Sequence, residues 1–282
     1  MKTHFEKVTM STQTSLAYDR VIVPVNGFPP NDRAIRVAEV LAQQFNCDIE
    51  FSSMVYNAEH RTERSHLLHL LTLRTKGKSA FTNIEDGGDA SPYILDLISK
   101  PQSLVVLAGA TSVLGMPGSI TADVVRFAGQ PVVIVGPQTS NTWQGPITRI
   151  VVPLDGSSAA EHALASAQRW SHLLGARIEV IQVLDPNDVT LMRRLDPEAF
   201  ESSYLETVFE SIQANGVAEV SFDTLHGSRS HRVEVICDYV REQPGSMLCM
   251  ATNGAHQSRS MLASTTLKVL HHSPAPVLIV RS

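Results

Sequence analysis

Arg149-Ile-Val-Val-Pro-Leu-Asp-Gly-Ser157 is the stretch on which the reading of the whole chain turns. Residues 150–154 form an unbroken apolar run, largely β-branched, stopped by the turn-forming pair Asp155-Gly156. That is the profile of a strand buried on both faces, as in a parallel sheet, with its acidic residue at the carboxyl end. The phrase occurs earlier as Val21-Ile-Val-Pro-Val-Asn-Gly27, where Asn26 stands in place of the aspartate.

The two phrases belong to a long internal repeat. A shift of 129 residues lays 21–51 over 150–180 without a gap, placing Asn26 on Asp155, Ala34 on Ala163, Ala38 on Ala167 and Ile49 on Ile178. Further on, Gly129-Gln-Pro-Val-Val-Ile-Val135 matches Pro274-Ala-Pro-Val-Leu-Ile-Val280. A period this long marks a duplicated domain and not a solenoid of short repeats. In the first half, strands are expected at 21–25, 49–55, 79–84, 104–108 and 131–135. Asn31 and Asp32 start a helix carrying Ile35, Ala38, Leu41, Ala42 and Phe45 on one face. Further helices are expected at 61–74, 92–99 and 119–127, and the second half adds a longer acidic helix at 197–214. The division that follows is a polar lead-in at 1–19, domains at 20–136 and 149–282, and a linker at 137–148. Strands alternating with helices imply parallel sheets covered on both faces, and ligands then lie beyond the strands' carboxyl ends where strand order reverses.

Composition narrows the function. At 282 residues the chain is long for one core and comfortable for two. Its net charge is −5, with 12 basic and 13 acidic residues up to Gly145 and 11 against 15 afterwards. Neither half is a polycation, so nucleic acid is not an expected partner. Cys47, Cys237 and Cys249 are far apart and form no CxxC pair, which fits buried thiols in a reducing compartment. No apolar secretory core precedes Tyr18, and no apolar run approaches about 20 residues. The expected location is the cytoplasm.

These features resemble the universal stress protein family in its tandem, two-domain form. Its opening phrase stands as Val152-Pro-Leu-Asp-Gly-Ser157. Its closing phrase stands as Ser264-Thr-Thr-Leu-Lys-Val-Leu-His-His-Ser-Pro-Ala-Pro-Val-Leu-Ile-Val280, and as Gly118-Ser-Ile-Thr-Ala-Asp-Val-Val-Arg126 through Val135. The resemblance implies two Rossmann-like α/β domains, each a doubly wound five-stranded parallel sheet of order 3-2-1-4-5. It also implies that the last strands, 132–135 and 277–280, associate, here with each other inside one chain; a homodimer is a further expectation. An apolar edge strand has to be covered or paired in any case.

The resemblance further implies a stress-response and signalling module. ATP-binding members carry Gly-x2-Gly-x9-Gly-Ser/Thr after strand four, where glycines let the backbone approach phosphates and the last pair opens a helix whose free N–H groups attract anions. Here that segment reads Met250-Ala-Thr-Asn-Gly-Ala-His-Gln-Ser-Arg-Ser-Met-Leu-Ala-Ser-Thr-Thr266. Gly254 is kept, but Ala251 and Ala263 replace the flanking glycines. A non-glycine residue at φ > 0 costs on the order of 1 kcal/mol. Ser264, Thr265 and Thr266 offer hydroxyls at the expected helix start, and Arg259 offers a cation. The expected second-domain site is therefore Pro153, Asp155, Gly156, Val183, Met250, Ala251, Gly254, Ala263, Ser264 and Thr265. Asp155 holds ribose or base, Pro153 and Val183 form walls, and Gly254, Ser264 and Thr265 hold phosphates. The expected ligand is ATP or a related adenine nucleotide, accompanied by Mg2+. The first domain is degenerate: Gly118 and Ser119 keep the helix-opening pair, but Asn26 brings an NH2 donor where a second acceptor is expected.

Other motifs fall away on inspection. Thr75-Lys-Gly-Lys-Ser79 resembles the end of a P-loop, but Thr72 occupies the required earlier glycine. No Gly-x-Ser-x-Gly elbow occurs. His271 and His272 sit where a helix would end, a common structural placement, and His226 and His231 have no metal-ligand spacing around them. No catalytic base stands out, so the expectation is not an enzyme, or at most a slow ATPase. An ATP-pyrophosphatase would need a Ser-Gly-Gly-x-Asp-Ser loop that neither half has. The competing class is an interaction scaffold, or a sensor of another small ligand.

Overall fold

A computed structural model describes residues 18–25, 31–75, 80–109, 118–140, 143, 145–155, 158–185, 219–252 and 261–281. The first half contains β1 (Arg20–Pro24), α1 (Asp32–Phe45), β2 (Asp48–Val55), α2 (Ala58–Arg74) and β3 (Ala80–Asp86), followed by α3 (Ala90–Ser99), β4 (Ser103–Ala108), α4 (Ser119–Phe127) and β5 (Val132–Val135). The second contains β6 (Arg149–Leu154), α5 (Ser158–Leu174), β7 (Arg177–Leu184), β8 (Val220–His226), α6 (Arg232–Arg241), β9 (Ser246–Thr252), α7 (Met261–His272) and β10 (Val277–Arg281). The acidic helix expected at 197–214 lies outside the described residues.

All ten strands form one sheet of order β3-β2-β1-β4-β5-β10-β9-β6-β7-β8. Each half thus has the order 3-2-1-4-5, and every pairing within a half is parallel. The two halves join through β5 and β10, which pair antiparallel with Val277 opposite Ile134, Leu278 opposite Val133 and Ile279 opposite Val132. Val132–Val135 and Val277–Val280 are almost fully buried, so neither apolar strand is left as an open edge. The outer strands β3 and β8 are half exposed along their length.

Local chemistry sets the helix ends. The Asn31 side chain caps α1 by accepting from the Ala34 N–H at 3.1 Å, and Asn46 closes the helix in the left-handed region at φ 55°. The apolar face expected for α1 is the buried one, through Ala34, Val37, Ala38, Leu41 and Ala42.

The repeat extends to a buried ion pair. Arg20 meets Glu50 at 2.6 Å, and 129 residues later Arg149 meets Glu179 at 3.1 Å. Glu179 also contacts Arg177 at 3.2 Å and accepts from the Tyr239 hydroxyl at 3.2 Å. Burial pushes the Glu179 carboxyl up from the ordinary glutamate range, against the opposing pull of Arg177.

The segment between the halves is packed down. Gln44 on α1 donates to the Ile147 carbonyl at 3.0 Å and accepts from its N–H at 2.8 Å, a two-bond amide clasp. Arg33 donates to the Pro137 carbonyl at 2.7 Å, and the Trp143 indole donates to the Ser246 carbonyl at 3.4 Å. Beside it, Tyr18 and Phe45 of the first half enclose Trp170 of α5. Their ring centroids lie 5.1 Å (Tyr18–Phe45), 5.7 Å (Tyr18–Trp170) and 5.4 Å (Phe45–Trp170) apart. Burial in this cluster raises the Tyr18 hydroxyl to about 12.

Candidate functional site

β6 lies between β7 and β9, so chain connections leave its carboxyl end in opposite directions. A crevice opens at such a switch point because the helices on either side pass to opposite faces of the sheet. Here it is a cleft of about 540 Å³, counting the space open to solvent at its mouth.

Six of the expected site residues line this cleft: Pro153 and Asp155 from the end of β6, Val183 from β7, Met250 and Ala251 from β9, and Thr265 from α7. Asp155 is exposed at the mouth, whereas Val183 and Met250 are nearly buried beneath it. The site therefore combines an apolar floor with one carboxylate and a hydroxyl at its rim. Gly156, Gly254, Arg259 and Asn26 lie outside the described residues. Gly118 and Ser119 open α4, as expected, but in the other half of the sheet, so they do not join the Asp155 cleft.

Two expectations about the backbone need correction. Ala251 lies inside β9 and Ala263 inside α7, so neither occupies the left-handed region assumed for the replaced glycines. Among the described non-glycine residues, positive φ occurs at Asn46 and Gln102. In addition, α7 starts at Met261 and not at Ser264. Thr265 and Thr266 therefore lie inside the helix and not at its described start.

The cleft also contains residues that sequence reasoning passed over: Leu154, Arg232, Ile236 and Thr266. Arg232 is the first residue of α6, and its position is firmly set. The Gly227 N–H donates to the Leu184 carbonyl at 2.9 Å, and the Arg229 N–H donates to the Asp185 carboxylate at 2.8 Å. Both bonds tie the start of α6 to the end of β7. Gly227 is needed for the close approach, since a Cβ there would stand 2.6 Å from the Val235 side chain. Ile236, one turn on, is 2% exposed and anchors the helix against the sheet. Arg232 Nε is buried and has no hydrogen-bond partner among the described residues. The signal that points to Arg232 is topological: the helix between the third and fourth strands of each half starts at the same sheet edge as the switch point.

Among the described residues, no histidine lines this cleft. His271 and His272 end α7 with ring centroids 4.7 Å apart, and burial together with the neighbouring His272 lowers the His271 pKa. The His231 Nδ1 lies 2.7 Å from the Ser228 hydroxyl in the turn before α6. Among the described residues, no group of three His, Cys, Asp or Glu side chains is placed to hold a metal ion. No helix among them is long and apolar enough to cross a membrane. Cys47, Cys237 and Cys249 are buried and form no disulfide.

Comparison with known proteins agrees with this architecture. The sequence profile described as "Universal stress protein family" matches residues 146–281. No curated protein sequence matches the chain. Among solved structures, a universal stress protein from Archaeoglobus fulgidus DSM 4304 superposes with a TM-score of 0.65 at 18% identity, covering 94% of this chain and 98% of that one. A protein of unknown function from Pseudomonas aeruginosa PAO1 superposes with a TM-score of 0.63 at 15% identity, covering 96% and 95%. The second half of this chain belongs to the universal stress protein family, and the whole chain has the tandem form of that fold.

Proposed function

We propose that the second half binds an adenine nucleotide, ATP or a close relative, in the Asp155 cleft, and that the protein serves as a nucleotide-holding stress-response module. The observation that carries this reading is the convergence of Pro153, Asp155, Val183, Met250, Ala251 and Thr265 on one cleft at the switch point. The donor set suits the ligand class. Asp155 accepts from ribose hydroxyls or a base amino group, and Val183, Met250 and Pro153 give an apolar bed for a planar base. Mg2+, where it accompanies the nucleotide, would come in on the phosphates. The role in this reading is to hold ligand: among the described residues lining the cleft, Asp155 is the one carboxylate.

Ala251 supports a second reading, an interaction scaffold, since a side chain stands in the cleft where nucleotide-binding relatives are expected to have glycine. One experiment separates the two. Purified protein is denatured and any released nucleotide identified by mass spectrometry, and the stripped protein is then titrated with ATP. The nucleotide reading expects saturable binding that Asp155→Ala weakens at least tenfold, the loss expected of a charge-assisted hydrogen bond. Affinity unchanged by Asp155→Ala would remove the site assignment. No bound nucleotide and no titration would leave the scaffold.

A further inference from the structure

We propose that Arg232 holds a phosphate of the bound nucleotide, taking over part of the anion-binding role of the two replaced glycines and making the cleft selective for phosphorylated ligands. The inference rests on the nucleotide reading above and names the residue and ligand group that set its selectivity.

The argument starts from the side chain. A guanidinium donates five hydrogen bonds in a fixed fork and accepts none. A buried donor without a partner is costly, so such groups are normally satisfied by protein, water or ligand. Arg232 Nε is buried, has no hydrogen-bond partner among the described residues, and belongs to a side chain lining the Asp155 cleft. That side chain lines the cleft, so an oxygen anion bound there meets a guanidinium whose donors the described protein leaves partly unsatisfied.

The surroundings favour the same group. α6 packs against α7, and both helices start at the sheet edge where the cleft opens. Arg232 on α6 and Thr265 on α7 therefore face one groove, with a cation on one side and a hydroxyl on the other. The hydrogen bonds from Gly227 to Leu184 and from Arg229 to Asp185 fix the origin of α6, so the guanidinium is presented from a rigid base. A phosphoryl oxygen, with its charge and several lone pairs, satisfies a fork of N–H donors better than any neutral group of a nucleoside.

The test is a titration of the full-length, stripped protein with adenosine, AMP, ADP and ATP at fixed ionic strength. Wild type is compared with Arg232→Met and Arg232→Gln, and with Arg241→Met as a charge-loss control on the last turn of the same helix. The wild type should bind AMP at least tenfold more tightly than adenosine. Both Arg232 variants should lose about tenfold to a hundredfold in affinity for AMP, ADP and ATP while adenosine affinity stays within twofold. Circular dichroism checks that each variant is folded, and the glutamine variant keeps the test available if methionine disturbs α6. Equal losses for adenosine and AMP would overturn the proposal by making Arg232 a wall of the cleft. Unchanged affinities would make it a bystander. A wild type that binds adenosine but does not prefer AMP overturns the Arg232 role alone, whereas binding of none of the four overturns the nucleotide reading as well.

Discussion

Phe45 and Trp170 offer a direct measure of how strongly the two halves support each other. Their rings meet at 5.4 Å between centroids and 83° between planes, an edge-to-face contact between α1 of one half and α5 of the other. Trp170 is 2% exposed, so its removal leaves a cavity that the neighbouring helices can only partly fill. Trp170→Ala should therefore cost about 3–5 kcal/mol in unfolding free energy. The cross-half part of this is isolated by a double-mutant cycle with Phe45→Leu and Trp170→Leu, which should give a coupling of about 1 kcal/mol for an edge-to-face aromatic pair. Tyr18, 5.7 Å from Trp170 and 5.1 Å from Phe45, remains in all four proteins and keeps the site from collapsing differently in each. The assay is equilibrium urea unfolding followed by far-UV circular dichroism. Additivity within about 0.3 kcal/mol would refute the claim that the two rings stabilise each other across the halves.

Two further predictions concern the buried ion pair and the exit of β5. Burial raises the Glu179 pKa, so its protonated form is favoured in the folded protein; its stability contribution is full below the unfolded pKa of about 4.3 and is lost as pH rises through the folded value. The unfolding free energy of wild type relative to Glu179→Gln should thus decline as pH is raised upward from about 4.3, and a difference that grows with pH would contradict the sign. At Gly136, a Cβ would stand 2.1 Å from the Leu270 carbonyl oxygen, which is backbone and cannot rotate away. Gly136→Ala should destabilise by about 1–3 kcal/mol in the same urea assay, and a neutral result would show that α7 shifts freely against β5.

Much of this molecule is legible in its sequence, and the misses have physical causes. The run 150–154 becomes β6 (Arg149–Leu154), and the apolar face expected for α1 is the buried one. Parallel strands buried on both faces leave a strong apolar signal, and position at a strand's carboxyl end is enough to bring Asp155, Val183 and Met250 together. The start of α7 is not legible locally because Ser264-Thr265-Thr266 looks like capping chemistry, whereas Met261, Leu262 and Ala263 before it are good helix formers. Arg232 was passed over because Arg229-Ser-His-Arg232 reads locally as a polar turn; only the crossover from β8 to β9 carries it to the cleft. The Gln44 clasp on Ile147 joins residues 103 positions apart and leaves no local trace.

Because β5 and β10 run in opposite directions, the strands of the two halves end at opposite edges of the shared sheet. The Asp155 cleft opens at one edge, and the carboxyl end of β1 lies at the other. One small ligand therefore cannot bridge the two positions, and a protein docked over the Asp155 cleft leaves the opposite edge available. The duplicated chain thus has two separately addressable ends, one bearing the candidate ligand site and the other, with asparagine in place of aspartate, free to have diverged toward a different task.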